Sequence, residues 1–492
     1  MKILFINPAV SVETDEIWAR SMKLNLLGGM SYTPRIAPMV LAAVTPKEYP
    51  FKYLDEDIEE IDFNKIEADL IAITAMTVQA QRAYELAGEF RKRGYPVIMG
   101  GIHASTCPEE VALHVDGVCT GEAENYWPIV LSDVKEGRLK KFYHAKDYPP
   151  VTLLPIPRLD VVDHSKYSIF PLQATRGCPY SCEFCCIKLS SGNEYRKKPI
   201  EQVLEEIREI EKYNKGFFKK RLSFMDDNLY VDREYTLQLL KALVPLNIHW
   251  MGMGTLNIAQ DEEIIELIAE SGCRCFQMGF ESISQVNLKM SNKKTNSVEQ
   301  YKIIAKKLIQ YGIIPSGFFI FGFDHDDEQS FKRTTDFTIE NGIVNPLFHI
   351  LTPFPGTALY ERMKDRIIDQ TWRHYGSLKC VFQPAKLTPK ELEIGSYGAS
   401  YEVARLDIVK EQLKWIWSHG PWEKCPPLTL KERGVLLGLA VRMWRSKESR
   451  NFLLWAMFQS KATDVYQIIA SAVFYNEVRR FKRLRDSMLQ TN

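Results

Sequence analysis

The stretch FPLQATRGCPYSCEFCC, residues 170–186, decides how this chain is read. FPLQAT (170–175) is a short apolar run of the kind that forms a buried strand. It breaks at Arg176-Gly177 into a loop in which Cys178, Cys182 and Cys185 stand in CxxxCxxC spacing. Three thiolates on one short loop can hold three corners of an iron–sulfur cube, leaving the fourth iron free to bind a small molecule. A structural zinc site is the first alternative. It takes four ligands in two pairs, and no second CxxC or HxxxH pair occurs in the chain. Packing of buried cysteines is the other alternative, and a loop carrying Gly177 and Pro179 is a poor core strand. Cys186, adjacent to Cys185, points elsewhere and is not counted as a ligand.

Five strand candidates follow FPLQAT: RLSFMD (221–226), IHWMGM (248–253), RCFQMGF (274–280), SGFFIFGF (316–323) and PLFHILT (346–352). Amphipathic helical patterns such as IEQVLEEIREIEKY and DEEIIELIAESG lie between them. Six strand–helix units are too few for a closed eight-unit barrel but enough for an open, partial one. Chemistry in that geometry gathers at the C-terminal strand edge, which is where the cysteine loop follows the first strand. Cys273 and Cys275 flank a strand and are read as packing residues.

The region before it also alternates. KILFINP (2–8), DLIAITAM (69–76), PVIMGG (96–101) and GVCTGE (117–122) are apolar strand candidates, and QRAYELAGEFRKRG (81–94) is an amphipathic helix with a basic end and a terminal glycine. Such alternation predicts a doubly wound parallel sheet, with ligands beyond the carboxyl ends of its strands. The residues there are Asn7 and Pro8, Thr74 to Thr77, Gly100 to His103 and Gly121 to Glu124. YPPVTLLPIPRLDVVDH, proline-rich and without a period, reads as an ordered linker.

CxxxCxxC after the first strand of a six-unit partial barrel resembles the radical SAM superfamily. That resemblance implies a [4Fe–4S] cluster held by Cys178, Cys182 and Cys185. Its open iron binds S-adenosylmethionine (SAM), and one electron cleaves SAM to a 5′-deoxyadenosyl radical that abstracts a substrate hydrogen. An external flavodoxin- or ferredoxin-type donor supplies the electron. Phe184 matches the aromatic that the family places near the adenine. MDDN (225–228), MGFES (278–282), GFFIFGFD (317–324) and LTPFPGT (351–357) follow in the family's order. By similarity, Asp226, Glu281 and Ser282 are cofactor-binding candidates, and the backbone of Phe321, Gly322 and Phe323 lies near the adenine.

GGIHASTCPEEVALHVDGVCTGEAENYWP (100–128) resembles the module joined to such barrels in the cobalamin-binding subgroup. Thr74, Thr77, Gly100, Gly101, Gly121 and Glu122 are then corrin or tail contacts. The DxHxxG segment that supplies a cobalt-ligating histidine elsewhere is missing, and His103 is read as a turn residue or cofactor-tail contact rather than a cobalt ligand. HYGSLKCVFQPAKLTPKELEIGSYGASYEV (374–403) resembles the extension of a lipid-related branch that includes hopanoid and archaeal tetraether enzymes, and the chain as a whole resembles the lipid- and tetrapyrrole-modifying branch that holds hopanoid methylases and anaerobic porphyrin cyclases. The resemblances imply a cobalamin-dependent radical SAM enzyme that transfers a methyl group to an unactivated carbon of a hydrophobic substrate. An oxidative cyclase with the same cofactors, and a non-catalytic iron–sulfur and cobalamin sensor, are the alternatives.

The expected fold is α/β throughout its first three parts. A Rossmann-like cobalamin-binding domain covers 1–140, a linker 141–168 and a partial (βα)6 TIM-like barrel 169–375, with a mostly helical domain over 376–492. With 492 residues, the chain is long enough for several cores. Its 63 Lys and Arg against 62 Asp and Glu give no global attraction to nucleic acid, and none is expected as a partner. MKILFINPAV reads as a first strand, and no apolar run reaches the roughly 18 residues a bilayer span needs. Together with the absence of a disulfide framework among the ten cysteines, this predicts a cytoplasmic protein. Beyond residue 406, basic and aromatic residues interleave, as in KWIWSHGPWEK and VFYNEVRRFKRLRD. They read either as a helical cap on the barrel or as a surface for peripheral membrane contact.

Overall fold

The computed structural model describes residues 1–10, 23–24, 30–31, 33–144, 147–167, 169–214, 221–344, 346–421, 433, 436–437, 440 and 447–458. Two six-stranded parallel sheets organise the chain. The first contains β1 (Ile3–Asn7), β2 (Phe51–Asp55), β3 (Leu70–Thr74), β4 (Val97–Gly100), β5 (Gly117–Thr120) and β6 (Phe142–His144), in the order β2-β1-β3-β4-β5-β6. The order reverses beside β1, which opens a crevice between β1 and β3 at their carboxyl ends. Strands β1 and β3 to β5 are nearly continuous apolar runs because helices cover both faces. Two edge strands carry little of that signal. β2 (FKYLD) has polar residues in a five-residue run, and β6 is three residues long with Phe142 and His144 exposed, inside the stretch read as linker. Near the end of that linker, Tyr167 donates its hydroxyl to buried Asp55 at 2.9 Å.

The second sheet contains β7 (Ile169–Leu172), β8 (Arg221–Phe224), β9 (Trp250–Gly254), β10 (Cys273–Glu281), β11 (Ile314–Phe321) and β12 (Leu347–Ile350). They lie side by side in chain order, all parallel, as an open half-barrel. Alternation along these strands sorts the side chains. Phe276, Phe280, Phe319, Phe321 and Phe348 face outward; Phe280 packs edge-on against Tyr301 of α1 (Val298–Gln310) and Phe321 against Phe331 of α2 (Glu328–Glu340). The register places Met253, Gln277, Phe318, Ile320, Leu347 and His349 on the opposite, inner face, where they remain half-buried rather than sealed.

The described part of the C-terminal region is a helical cap. Helices α3 (Pro389–Ala404), α4 (Leu406–His419) and α5 (Lys447–Met457) bury Val409, Leu413, Ile416 and Leu453 in one cluster with Ile309, Ile314 and Val344 of the barrel. Gln412 closes the end of α2 by donating to the Thr338 carbonyl at 3.2 Å. No helix among the described residues is long and apolar enough to cross a membrane. The segments read as a membrane-contacting surface lie largely outside the described residues.

Candidate active site

The cysteine loop is fixed at both ends before any cofactor is considered. At its entry, Asp226 accepts hydrogen bonds from Thr175 N and Thr175 Oγ1 at 2.5 and 2.6 Å and from Ala174 N at 3.2 Å. Asp227 accepts from Gly177 N at 2.8 Å. Both carboxylates of MDDN thus clamp the chain as it leaves β7. Gly177 itself has φ +84°, and a Cβ there would stand 2.1 Å from the Glu194 carbonyl oxygen, so only glycine allows this turn. Further on, Asn292 donates to the Ser181 carbonyl at 2.7 Å, Glu183 N donates to the Ser291 carbonyl, and Glu183 pairs with Arg362 at 3.0 Å.

Cys178, Cys182 and Cys185 are all half-buried on this fixed loop. Burial raises each thiol, pushing Cys185 up to about 12, with the neighbouring Cys178 and Cys182 adding to it. Deprotonation therefore needs cations, which iron supplies. The three sulfurs do not all lie within 4.8 Å of one another. Lys293 sits beside the triad and pairs with Glu281 at 2.7 Å.

The candidates for SAM gather around this loop. Glu281, with φ +62°, ends β10, and Ser282 follows it. Ser282 Oγ accepts from Ser284 N at 3.1 Å. After β11, Gly322 N and Phe323 N both donate to Asp326, at 2.9 and 3.0 Å, which shapes the turn that carries them. Burial pushes Asp326 up to about 6. The Phe323 ring meets Phe184 edge-on at 6.4 Å, joining that turn to the cysteine loop. The Phe321 side chain packs outward, so only its backbone faces the site. Asp226 is committed to the loop entry and clamps it.

A cavity of about 240 Å³ opens at the carboxyl edge of the first sheet. Thr74, Gly100, Gly101, Gly121 and Glu122 line it, with Gln173, Arg176, Ser190 and Ser191 contributed from the barrel side. Its floor is apolar, formed by Phe5, Ala72, Ile98 and Trp127. A Cβ on Gly101 would meet Ala75 and Thr74 at 2.8 Å, so glycine keeps this rim close to the backbone. The crevice is smaller than the roughly 300–1,000 Å³ of cavities that bury a whole drug-sized ligand. Thr77 is buried in a turn outside the lining. His103 is also outside it: its ring is fully buried against Tyr84 and Trp372, and burial lowers it to about 4.

Residues 172–338 match the model of the Radical SAM superfamily, and residues 35–131 match that of the B12 binding domain. The bacteriochlorophyllide d C-12(1)-methyltransferase of Chlorobaculum tepidum is 34% identical over 412 residues, covering 81% of this chain and 87% of its own. This chain belongs to the cobalamin-dependent radical SAM methyltransferase family. A second relative, the bacteriochlorophyllide d C-8(2)-methyltransferase of the same organism, is 32% identical over 368 residues, covering 71% and 81% of the two chains. The solved structure of OxsB, a cobalamin-dependent S-adenosylmethionine radical enzyme with aqua-cobalamin and SAM bound, has the same fold. It aligns with a TM-score of 0.64 at 15% identity over 99% of this chain and 80% of that one. Membership makes the protein an enzyme whose cofactors are a [4Fe–4S] cluster, SAM and cobalamin. Sequence reasoning named the cysteines but missed Asp227, Lys293, Asp326 and Arg196, whose roles depend on contacts between distant segments.

Proposed function

We propose that this enzyme methylates an unactivated carbon of a hydrophobic tetrapyrrole. The observation that carries the reading is the inner face of the half-barrel. Met225, Met253, Phe318, Ile320 and Leu347 present soft, half-buried apolar surface there, with Gln277 and His349 as the polar groups among them. Such a wall favours a large apolar ring system oriented by a few polar contacts. The two bacteriochlorophyllide methyltransferases, similar over most of this chain, support the same class.

When bound, the cluster and SAM supply a hydrogen-abstracting radical, and cobalamin supplies the methyl group. This chain's own residues position those groups and exclude water. Cys178, Cys182 and Cys185 hold the cluster, and Asp226 and Asp227 fix the loop that carries them. Glu281, Ser282 and the Gly322–Phe323 backbone receive SAM, with Phe184 against its adenine. Thr74, Gly100, Gly101, Gly121 and Glu122 receive cobalamin. A flavodoxin- or ferredoxin-type carrier delivers the electron.

The test is anaerobic incubation of the reduced holoenzyme and SAM with a panel containing a chlorin, a porphyrin and a pentacyclic hopanoid. The reading predicts a product one methyl group heavier from a tetrapyrrole. Methylation of the hopanoid alone would overturn the substrate class, and a dehydrogenated or cyclised product without added carbon would overturn the reaction.

A further inference from the structure

Outside the cavity, three side chains with metal-ligand chemistry converge. A ring nitrogen of His103, Sγ of Cys107 and a carboxylate oxygen of Glu110 all lie within 4.8 Å of one another. They come from two consecutive short helices, Ile102–Thr106 and Pro108–His114, that meet at Cys107, so the local turn sets their spacing. His103 Nε2 stands 2.8 Å from the Tyr84 hydroxyl, which donates to Glu110 at 3.0 Å. Its other nitrogen, Nδ1, is buried with no hydrogen-bond partner. Trp372, from the segment after the last barrel strand, donates its indole N–H to Glu110 at 2.6 Å across 262 positions of sequence. The cluster therefore sits at the joint between the two sheets' domains.

We infer that His103, Cys107 and Glu110 bind a divalent transition metal ion, zinc foremost, distinct from the cluster and from cobalamin. One nitrogen, one sulfur and one oxygen form a borderline donor set that suits zinc and excludes magnesium and calcium, which take oxygen ligands. A thiolate and a carboxylate cancel the charge of a 2+ ion, which a half-buried site requires. Burial keeps the imidazole neutral and so ready to ligate, whereas it raises the Cys107 thiol to about 11, whose proton the cation must displace. Ligand atoms around zinc stand about 3.3–3.8 Å apart, so closing atoms that already lie within 4.8 Å of one another needs side-chain adjustment of at most about 1.5 Å. The ion would tie Glu110, and through it Trp372, to the helix pair beside the cavity.

The test uses the holoenzyme, loaded with iron, sulfide and cobalamin so that the cysteine triad is already occupied. Zinc is added and then competed with a chelator, and the metal is counted by mass spectrometry. Zinc K-edge absorption, free of iron and cobalt signals, reads its ligands. The expected result is about one zinc per chain, bound through one sulfur near 2.3 Å together with nitrogen and oxygen neighbours. Cys107→Ser should weaken zinc binding at least about tenfold while iron and cobalamin contents stay unchanged. No retained zinc in the wild-type enzyme, or zinc surrounded by three or more sulfurs, would overturn the assignment whatever the variant does.

Discussion

One guanidinium nitrogen of Arg176 donates to both Glu122 and Glu124, at 2.9 and 2.6 Å, and so joins the wall of the cavity at the first sheet's edge to the residue two positions before the first cysteine of the triad. Glu122 also pairs with Arg196, which lies opposite Arg176 in a short antiparallel ladder. All four side chains are less than one-tenth exposed. Removing Glu122 leaves Arg196 buried without a carboxylate, a change that costs about 3–5 kcal/mol. Glu122→Ala should lose stability of that order in denaturant unfolding and retain less cobalamin on gel filtration. Glu122→Gln, which keeps a hydrogen-bond acceptor, should fall between. Wild-type stability in Glu122→Ala would show that the pairs do not couple the two domains.

Gly177 is the tightest point of the cysteine loop. Gly177→Ala places a methyl group against the Glu194 carbonyl and forces an L-residue to φ +84°. Iron content after anaerobic reconstitution should fall from about four per chain to below about one. Full iron loading in this variant would mean that the loop can rebuild itself by another turn.

Asp226 gives a pH signature. Burial pushes its carboxyl up to about 7 and Asp227 adds to this, against hydrogen bonds that favour the charged form. The folded state then holds a proton that the unfolded chain gives up near 3.8, so this group's contribution to stability declines as pH rises from about 4 to about 7. Asp226→Asn removes that decline and keeps a carbonyl for Thr175. The stability difference, variant minus wild type, should grow with pH across this window in anaerobic melts and level off above it. A difference independent of pH would contradict the protonated state.

Lys198 and Glu206 form an ion pair at 2.6 Å with both side chains under 5% exposed. Lys198→Met strands a buried carboxylate and should cost about 3–5 kcal/mol, whereas Lys198→Met combined with Glu206→Leu should regain most of it. Equal losses in the single and double variants would assign the effect to packing.

The strands were legible in the sequence where burial on both faces leaves an apolar run, as in LIAIT of β3 and the glycine-aromatic run of β11. The edge strands β2 and β6 were not, because an edge tolerates polar residues and three residues carry no period. The cysteine triad was legible because its ligands are local, within eight positions. The groups that hold the triad were not: Asp227 meets Gly177 across 50 positions, Asn292 meets Ser181 across 111, and Arg196 meets Glu122 across 74. His103 stood out as a motif residue, but only the fold shows its ring turned from the cavity toward Tyr84 and Trp372.

The products of SAM report on the two cofactors separately. The measurement is the yield of 5′-deoxyadenosine and S-adenosylhomocysteine from reduced enzyme, SAM and a tetrapyrrole, with and without cobalamin loaded. The account predicts equal amounts of both products with cobalamin, 5′-deoxyadenosine alone without it, and neither in Cys182→Ala. S-adenosylhomocysteine formed equally well without cobalamin, or by Cys182→Ala, would contradict it.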